Sequence, residues 1–184
     1  MLRQILTLIM VIIPSLSIAQ LYEINIASVS FNSSAPKELI HASTDKLKGY
    51  IDPQKKIFAF KLDIASFNGF NSPLQREHFN ENYMESILYP QAVYVGKIIE
   101  DVDLTKDGVY KVRAKGKLTI HGVEQERIIN SLVETQGGKM VITSDFIVPL
   151  ADHNIKIPRI VYEKLASDIN VTVKATLVPK DVKR

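Results

Sequence analysis

Between Val109 and Ile120 the chain alternates with a period of two. Tyr110, Val112, Ala114, Gly116, Leu118 and Ile120 fall on one side, and Lys111, Arg113, Lys115 and Lys117 fall on the other. Only an extended strand sends successive side chains to opposite faces, so this is a strand with one buried face and one wet face. Lys56 to Ala65 repeats the pattern, with Phe58, Phe60, Leu62 and Ile64 opposite Lys61 and Asp63. Ile169, Val171, Val173, Ala175 and Leu177 repeat it near the C-terminus. The runs are separated by hairpin signals: Asp52-Pro53, Asp107-Gly108, His121-Gly122 and Gly137-Gly138. Glycine supplies the positive φ that tight hairpin turns require. The pattern predicts strands at 21–31, 38–51, 56–67, 91–104, 109–120, 123–135, 139–150 and 166–178. Neighbours joined by short turns must run antiparallel. Eight such strands can close on themselves and leave no edge, so the expected fold is all-β, an eight-stranded antiparallel up-and-down barrel.

One stretch departs from the alternation. Ser72-Pro73-Leu74-Gln75 offers an N-cap hydroxyl, a proline at the first helical position and a glutamine three residues on. These are helix-start signals, and they predict one short helix near residues 73–84. In a barrel of eight strands its natural place is over one opening. Ala151 to Leu165, which contains Pro158, reads as a loop or a short helical lid.

The first 19 residues read as an export signal. Arg3 is followed by the apolar run Ile5 to Ile13, then by Pro14 and the small-residue site Ser17-Ile18-Ala19. The run is too short to span a bilayer, which needs about 20 apolar residues. Residues 1–19 are therefore expected to be cleaved, leaving 20–184 as a single β-barrel domain in the bacterial periplasm or outside the cell. No stable membrane anchor is expected, because no cysteine follows the run. The chain has no cysteine at all, which excludes disulfides and thiolate metal sites. A formal charge of +3, which drops to +2 without Arg3, sets nucleic acid aside as a partner. A homodimer is left open.

An eight-stranded barrel is just wide enough to be filled by side chains or to hold one small ligand. Ala114, Gly116, Gly96 and Ala175 are small and on the inward face, which leaves volume, although small residues also fit the taper of a packed barrel. The alternation places Phe58, Phe60, Leu62, Tyr94, Val112, Leu118, Val171 and Val173 along an apolar interior. His78 lies one helical turn after Leu74 and on the same face, so it can meet a headgroup at the barrel mouth, although the commoner role for such a histidine is a bond to a neighbouring backbone carbonyl. Arg76 and Glu77 can do so too, or can simply solvate the helix.

Asn71 to Tyr83, Tyr89-Pro90 and the strand Ala92 to Ile98 together resemble the YceI-like family. So do Gly116-Lys117-Leu118-Thr119-Ile120-His121-Gly122-Val123, Ser144-Asp145-Phe146 and Asp152-His153-Asn154-Ile155. The pieces follow the family's order across residues 21–178. The resemblance implies a lipocalin-like barrel, exported to the periplasm, holding a long isoprenoid or similar amphiphile. Tyr94 stands where many members have Phe, and Thr143-Ser144 where an Arg is frequent.

Nothing in the sequence argues for catalysis or for a cofactor. His41, His78, His121 and His153 form no metal-binding spacing. His41 and His121 read as exposed, and Asp152 as a bonding partner for local backbone amides. Neither a Gly-x-Ser-x-Gly elbow nor a phosphate-cradling glycine loop occurs. The expected function is an exported carrier of an apolar lipid or isoprenoid. Two other readings stand beside it: an isomerase or hydrolase using His78 or Asp152 in the same cavity, and a ligand-free interaction protein with a packed barrel.

Overall fold

The computed structural model describes residues 20–180. The export reading of residues 1–19 therefore lies outside the described residues. Nine strands follow one another: β1 (Tyr22–Ser34), β2 (Leu39–Thr44), β3 (Lys48–Asp52), β4 (Ile57–Asp63), β5 (Gln91–Ile98), β6 (Gly108–Ile120), β7 (Val123–Gln136), β8 (Lys139–Pro149) and β9 (Asp168–Pro179). Each later strand pairs antiparallel with the next, and β1 pairs with β9 to close the sheet.

Both β2 and β3 pair with β1, and in a single register. Val29 faces Thr44 and Tyr22 faces Ile51, so the two partners are equally spaced along both strands. They are two halves of one barrel strand, and the barrel has eight strand positions. The expected continuous strand 38–51 is interrupted because the Thr44 hydroxyl captures the Lys46 amide at 3.1 Å and turns the chain for three residues. Two other expected strands are shorter than read. The 91–104 run leaves the sheet after Ile98, where Glu100 takes the Arg113 amide at 2.6 Å and Asp103 takes the Thr105 amide at 3.1 Å. The 56–67 run ends at Asp63 and passes into a 3-10 turn, Ile64–Ser66.

Antiparallel alternation sends the connections to opposite ends of the barrel. The turn after β3, the loop 99–107 and the Gly137-Gly138 turn share one end. That end is closed. Leu104 is fully buried beneath it, and the Leu104 carbonyl accepts a hydrogen bond from the Thr135 hydroxyl at 2.9 Å. Phe58, Val112, Val133, Met140, Ile142 and Leu177 fill the barrel above Leu104.

The longer connections meet at the other end. Here the helix α1 (Pro73–His78) starts as the sequence predicts, with the Ser72 hydroxyl accepting from the Gln75 amide at 3.1 Å. It is shorter than the expected 73–84. The Asn80 side-chain amide bonds the Arg76 carbonyl at 2.9 Å, and residues Phe79–Tyr83 continue as a π-helical turn. Two 3-10 turns, Leu150–His153 and Arg159–Val161, complete this end. Among the described residues no helix is long and apolar enough to cross a membrane.

Candidate functional site

The half of the barrel beneath the helix is hollow. Its cavity has a volume of about 550 Å³ and is lined almost wholly by carbon. This lies inside the range of roughly 300–1,000 Å³ for small-molecule pockets. A dry void of this volume in a core would cost on the order of 10 kcal/mol, as much as the whole stability of a typical domain. The few polar groups in its deep wall are already engaged. The Ser131 and Ser144 hydroxyls bond one another at 2.7 Å, and Ser33 accepts from the Ala166 amide at 2.9 Å. Water needs two to four polar partners and finds few on such a wall. The cavity is built for apolar matter.

The floor comes from β4 and β5. Phe58 and Phe60 stack with ring centroids 5.6 Å apart, and Tyr94 packs against Phe58 at 4.9 Å. The Tyr94 hydroxyl donates to the Ala114 carbonyl at 2.6 Å, with the Arg127 carbonyl 3.3 Å away. Burial pushes its pKa up to about 12, so it remains a donor at any physiological pH. Between the Tyr94–Leu118 pair and Ala114, Gly96 and Gly116 face one another on β5 and β6. A side chain on either glycine would collide with backbone: a Cβ on Gly96 would stand 2.2 Å from the Lys115 carbonyl oxygen.

Of the residues singled out in the sequence, Phe60, Leu62, Tyr94, Leu118, Val171, Val173 and His78 line the cavity. Phe58 and Val112 face inward but lie below the floor, in the packed half. Periodicity gives the face a residue occupies, not its depth along the barrel axis. The sequence reading missed Phe31, Phe67, Phe70 and Phe79, which cluster near the mouth with ring centroids 5.0–6.0 Å apart. Phe67 and Phe70 sit in an aperiodic stretch that carries no such signal. Phe31 follows a bulge on β1, where the pairing with β9 shifts between Ile24 and Ile26. Strict alternation from Ile24 would turn Ile26 inward, but Ile26 is 67% exposed and Ala27, Val29 and Phe31 face in.

The mouth opens between the β1–β2 connection, α1 and the 159–165 segment. Leu74, His78 and Lys164 are exposed there and also line the cavity. Gln75 ties the helix to Glu38 at 2.8 Å, and the Asn71 side chain ties it to the Leu39 carbonyl at 2.9 Å. Arg76 points away and donates to the Ala65 carbonyl at 3.2 Å.

Three other polar side chains depart from expectation or sharpen it. His121 is not an exposed turn residue. Its ring packs against Tyr89 at 4.5 Å, its Nε2 meets Glu85 at 2.6 Å and its Nδ1 meets the His153 carbonyl at 3.1 Å, so it pins the end of the lid to the β6–β7 turn. Asp152 faces Arg127 at 3.5 Å rather than backbone amides, and it is not part of the cavity wall. His41 is exposed, as expected, with its Nδ1 2.9 Å from the Asn32 side-chain oxygen.

His153 is fully buried. Its Nδ1 donates to the Val123 carbonyl at 3.0 Å, and its Nε2 has no partner among the described residues. Burial pushes the imidazole below its ordinary value, against the opposing pull of the Val123 carbonyl. The unfolded chain therefore takes up a proton that the folded chain refuses. Stability contributed by this group is present above about pH 6.5 and declines as pH falls toward the folded value. His153→Gln is expected to shrink the difference in urea midpoint between pH 7.5 and pH 5.5. An unchanged difference would show that the acid sensitivity comes from elsewhere.

The YceI-like domain family matches residues 22–177. No curated protein matches the chain. Among solved structures, a polyisoprenoid-binding domain from Saccharophagus degradans, described as implicated in plant cell wall breakdown, aligns with a TM-score of 0.70 at 15% identity. The match covers 86% of this chain and 98% of that one. Burkholderia cenocepacia BcnA aligns at 0.66 and 18% identity, over 82% and 95% of the two chains. The YceI protein of Campylobacter jejuni aligns at 0.61 and 16% identity, over 76% and 84%. At these identities the solved structures share the fold.

Proposed function

The chain belongs to the YceI-like domain family, and from that premise we propose that it is an exported carrier whose barrel holds a long apolar lipid of the isoprenoid kind. The observation that carries the reading is the half-hollow barrel, with one end plugged by Leu104 and the other holding about 550 Å³ of carbon-lined space. Burying an apolar tail there gains roughly 25 cal/mol for each Å² removed from water. The wall is set by barrel strands, so little order has to be created on binding. The tail would lie on Phe60, Leu62, Leu118, Val171 and Val173, above the Tyr94 floor. The headgroup would remain at the mouth, beside His78, Gln75 and Lys164, where the wall first becomes polar.

Binding is favoured over catalysis because the ionisable groups lie at the rim rather than deep in the wall. The Tyr94 hydroxyl, the polar group at the floor, is already directed at two backbone carbonyls. An enzyme would instead place a convergent acid or base beside the buried part of its substrate.

The test is mass spectrometry on protein expressed in a bacterial host and purified without detergent. An organic extract should contain close to one equivalent of an isoprenoid or other long-chain lipid. The intact mass should correspond to a chain beginning at Gln20, as export requires. A folded protein with an empty extract would overturn the carrier reading, and an unprocessed N-terminus would overturn export.

A further inference from the structure

The three apolar side chains most exposed to solvent lie in connections at the open end of the barrel. Among the connecting segments Ile87 is 91% exposed and Ile160 90%; Leu88, Leu74 and Tyr162 follow at 68%, 57% and 57%. All five belong to connections at the open end of the barrel. Connections at the closed end contribute Ile99 alone, at 38%. The contrast is between two ends of one molecule, so it is not the ordinary scatter of surface apolar residues.

Charge is distributed to match. Lys156, Arg159 and Lys164 stand on the same short segment as Ile160 and Tyr162, and among the described residues none of the three has a carboxylate within salt-bridge reach. The segment's one acid, Glu163, is paired with Lys37. Glu38, at the mouth, is bonded by Gln75. The other acids of this end without a cation in salt-bridge reach are Asp63, Glu77, Glu81 and Asp168, and none lies within residues 156–164, so that segment, with three unpaired cations, is the basic side of the mouth.

We propose that this rim docks reversibly on an anionic lipid bilayer, with Ile160 and Tyr162 entering the headgroup region and Lys156, Arg159 and Lys164 meeting lipid phosphates. Apolar tips flanked by cations, with a tyrosine at the boundary, are the composition that settles at a membrane interface. Exposed apolar tips beside three unpaired cations suit a fluid anionic surface. The same turn serves the cavity. Val161 and Leu165 line the wall while Ile160 and Tyr162 project outward, so docking would set the opening against the acyl region. A lipid could then pass between bilayer and barrel without crossing water. The purpose of docking rests on the carrier reading; the contact itself does not.

The experiment is flotation of the natively purified protein with vesicles of equal phosphatidylglycerol and phosphatidylcholine, and with phosphatidylcholine alone. The protein should float with the anionic vesicles, and at least tenfold less with the neutral ones or at high salt. The variants Ile160→Ser/Tyr162→Ser and Lys156→Glu/Arg159→Glu should each lower the partition at least tenfold, with unchanged circular dichroism and unchanged lipid in an organic extract. A wild-type protein that stays at the bottom of the gradient, or variants that float equally well, would overturn docking. So would a wild-type dimer that the Ser variant converts to monomer without altered flotation, because the rim would then be covered by a second copy. The extract separates the two readings. Lipid in the extract without flotation rejects docking alone, and flotation with an empty extract rejects the carrier alone.

Discussion

Gly116→Ala is expected to destabilise the barrel by about 3 kcal/mol or more, at the upper end of what overpacking costs. The cause lies in the close approach of β5 and β6. A Cβ on Gly116 would stand 2.4 Å from the Val95 carbonyl oxygen and 3.0 Å from the Gly96 Cα. Both are backbone atoms, so no side-chain rotation relieves the contact and the strands must part. Parting them also breaks the 2.6 Å hydrogen bond from Tyr94 to Ala114. Gly96→Ala should behave alike. Gly138→Ala is the comparison: its φ is +75° but nothing lies within 4 Å, so only left-handed strain of about 1 kcal/mol is expected. Urea midpoints measure all three. A Gly116→Ala protein that unfolds alongside Gly138→Ala would show that the strands are not packed this closely.

Phe60→Asp should empty the cavity. Phe60 is half-buried, stacks on Phe58 and forms the edge of the floor that a ligand tail would touch. A carboxylate there must remain solvated or take up a proton, and either state penalises apolar contact by several kcal/mol. Every 1.4 kcal/mol is tenfold in affinity, so lipid recovered in an extract should fall by at least a hundredfold. If this variant does not fold, Val173→Asp on the opposite wall asks the same question, since Val173 is also half-buried and lines the cavity. Retained lipid in either variant, with native circular dichroism, would remove the tail from this wall.

Much of the barrel was legible because closure of an antiparallel sheet uses local signals. The alternation on β6 and β9 set their faces, and the positive-φ pairs His121-Gly122 and Gly137-Gly138 set two hairpins and hence the pairing on either side. The cap at Ser72 set where the helix begins. Leu74 and His78 both reach the cavity, as their spacing on one helix face implies. Where the reading slipped on an element's end, a side chain had taken a backbone group. Thr44 broke the expected 38–51 strand by capturing the Lys46 amide, Glu100 and Asp103 ended the 91–104 run, and Asn80 turned the lid out of α-helical register. The bulge near Ile24–Ile26 reversed the facing of β1 because its register is set by β9, more than a hundred residues away.

The chain by itself determined the eight strand positions, the inward faces of β4, β6 and β9 and the end at which the long connections gather, since each follows from period and turn chemistry over a few residues. Only the tertiary structure decided that the barrel is packed below Tyr94 and hollow above it. Depth along the axis depends on stagger between strands, on Leu104 folding back beneath one end and on the Phe31, Phe67, Phe70 and Phe79 rings meeting near the other. None of these contacts is local, so none leaves a period in the sequence.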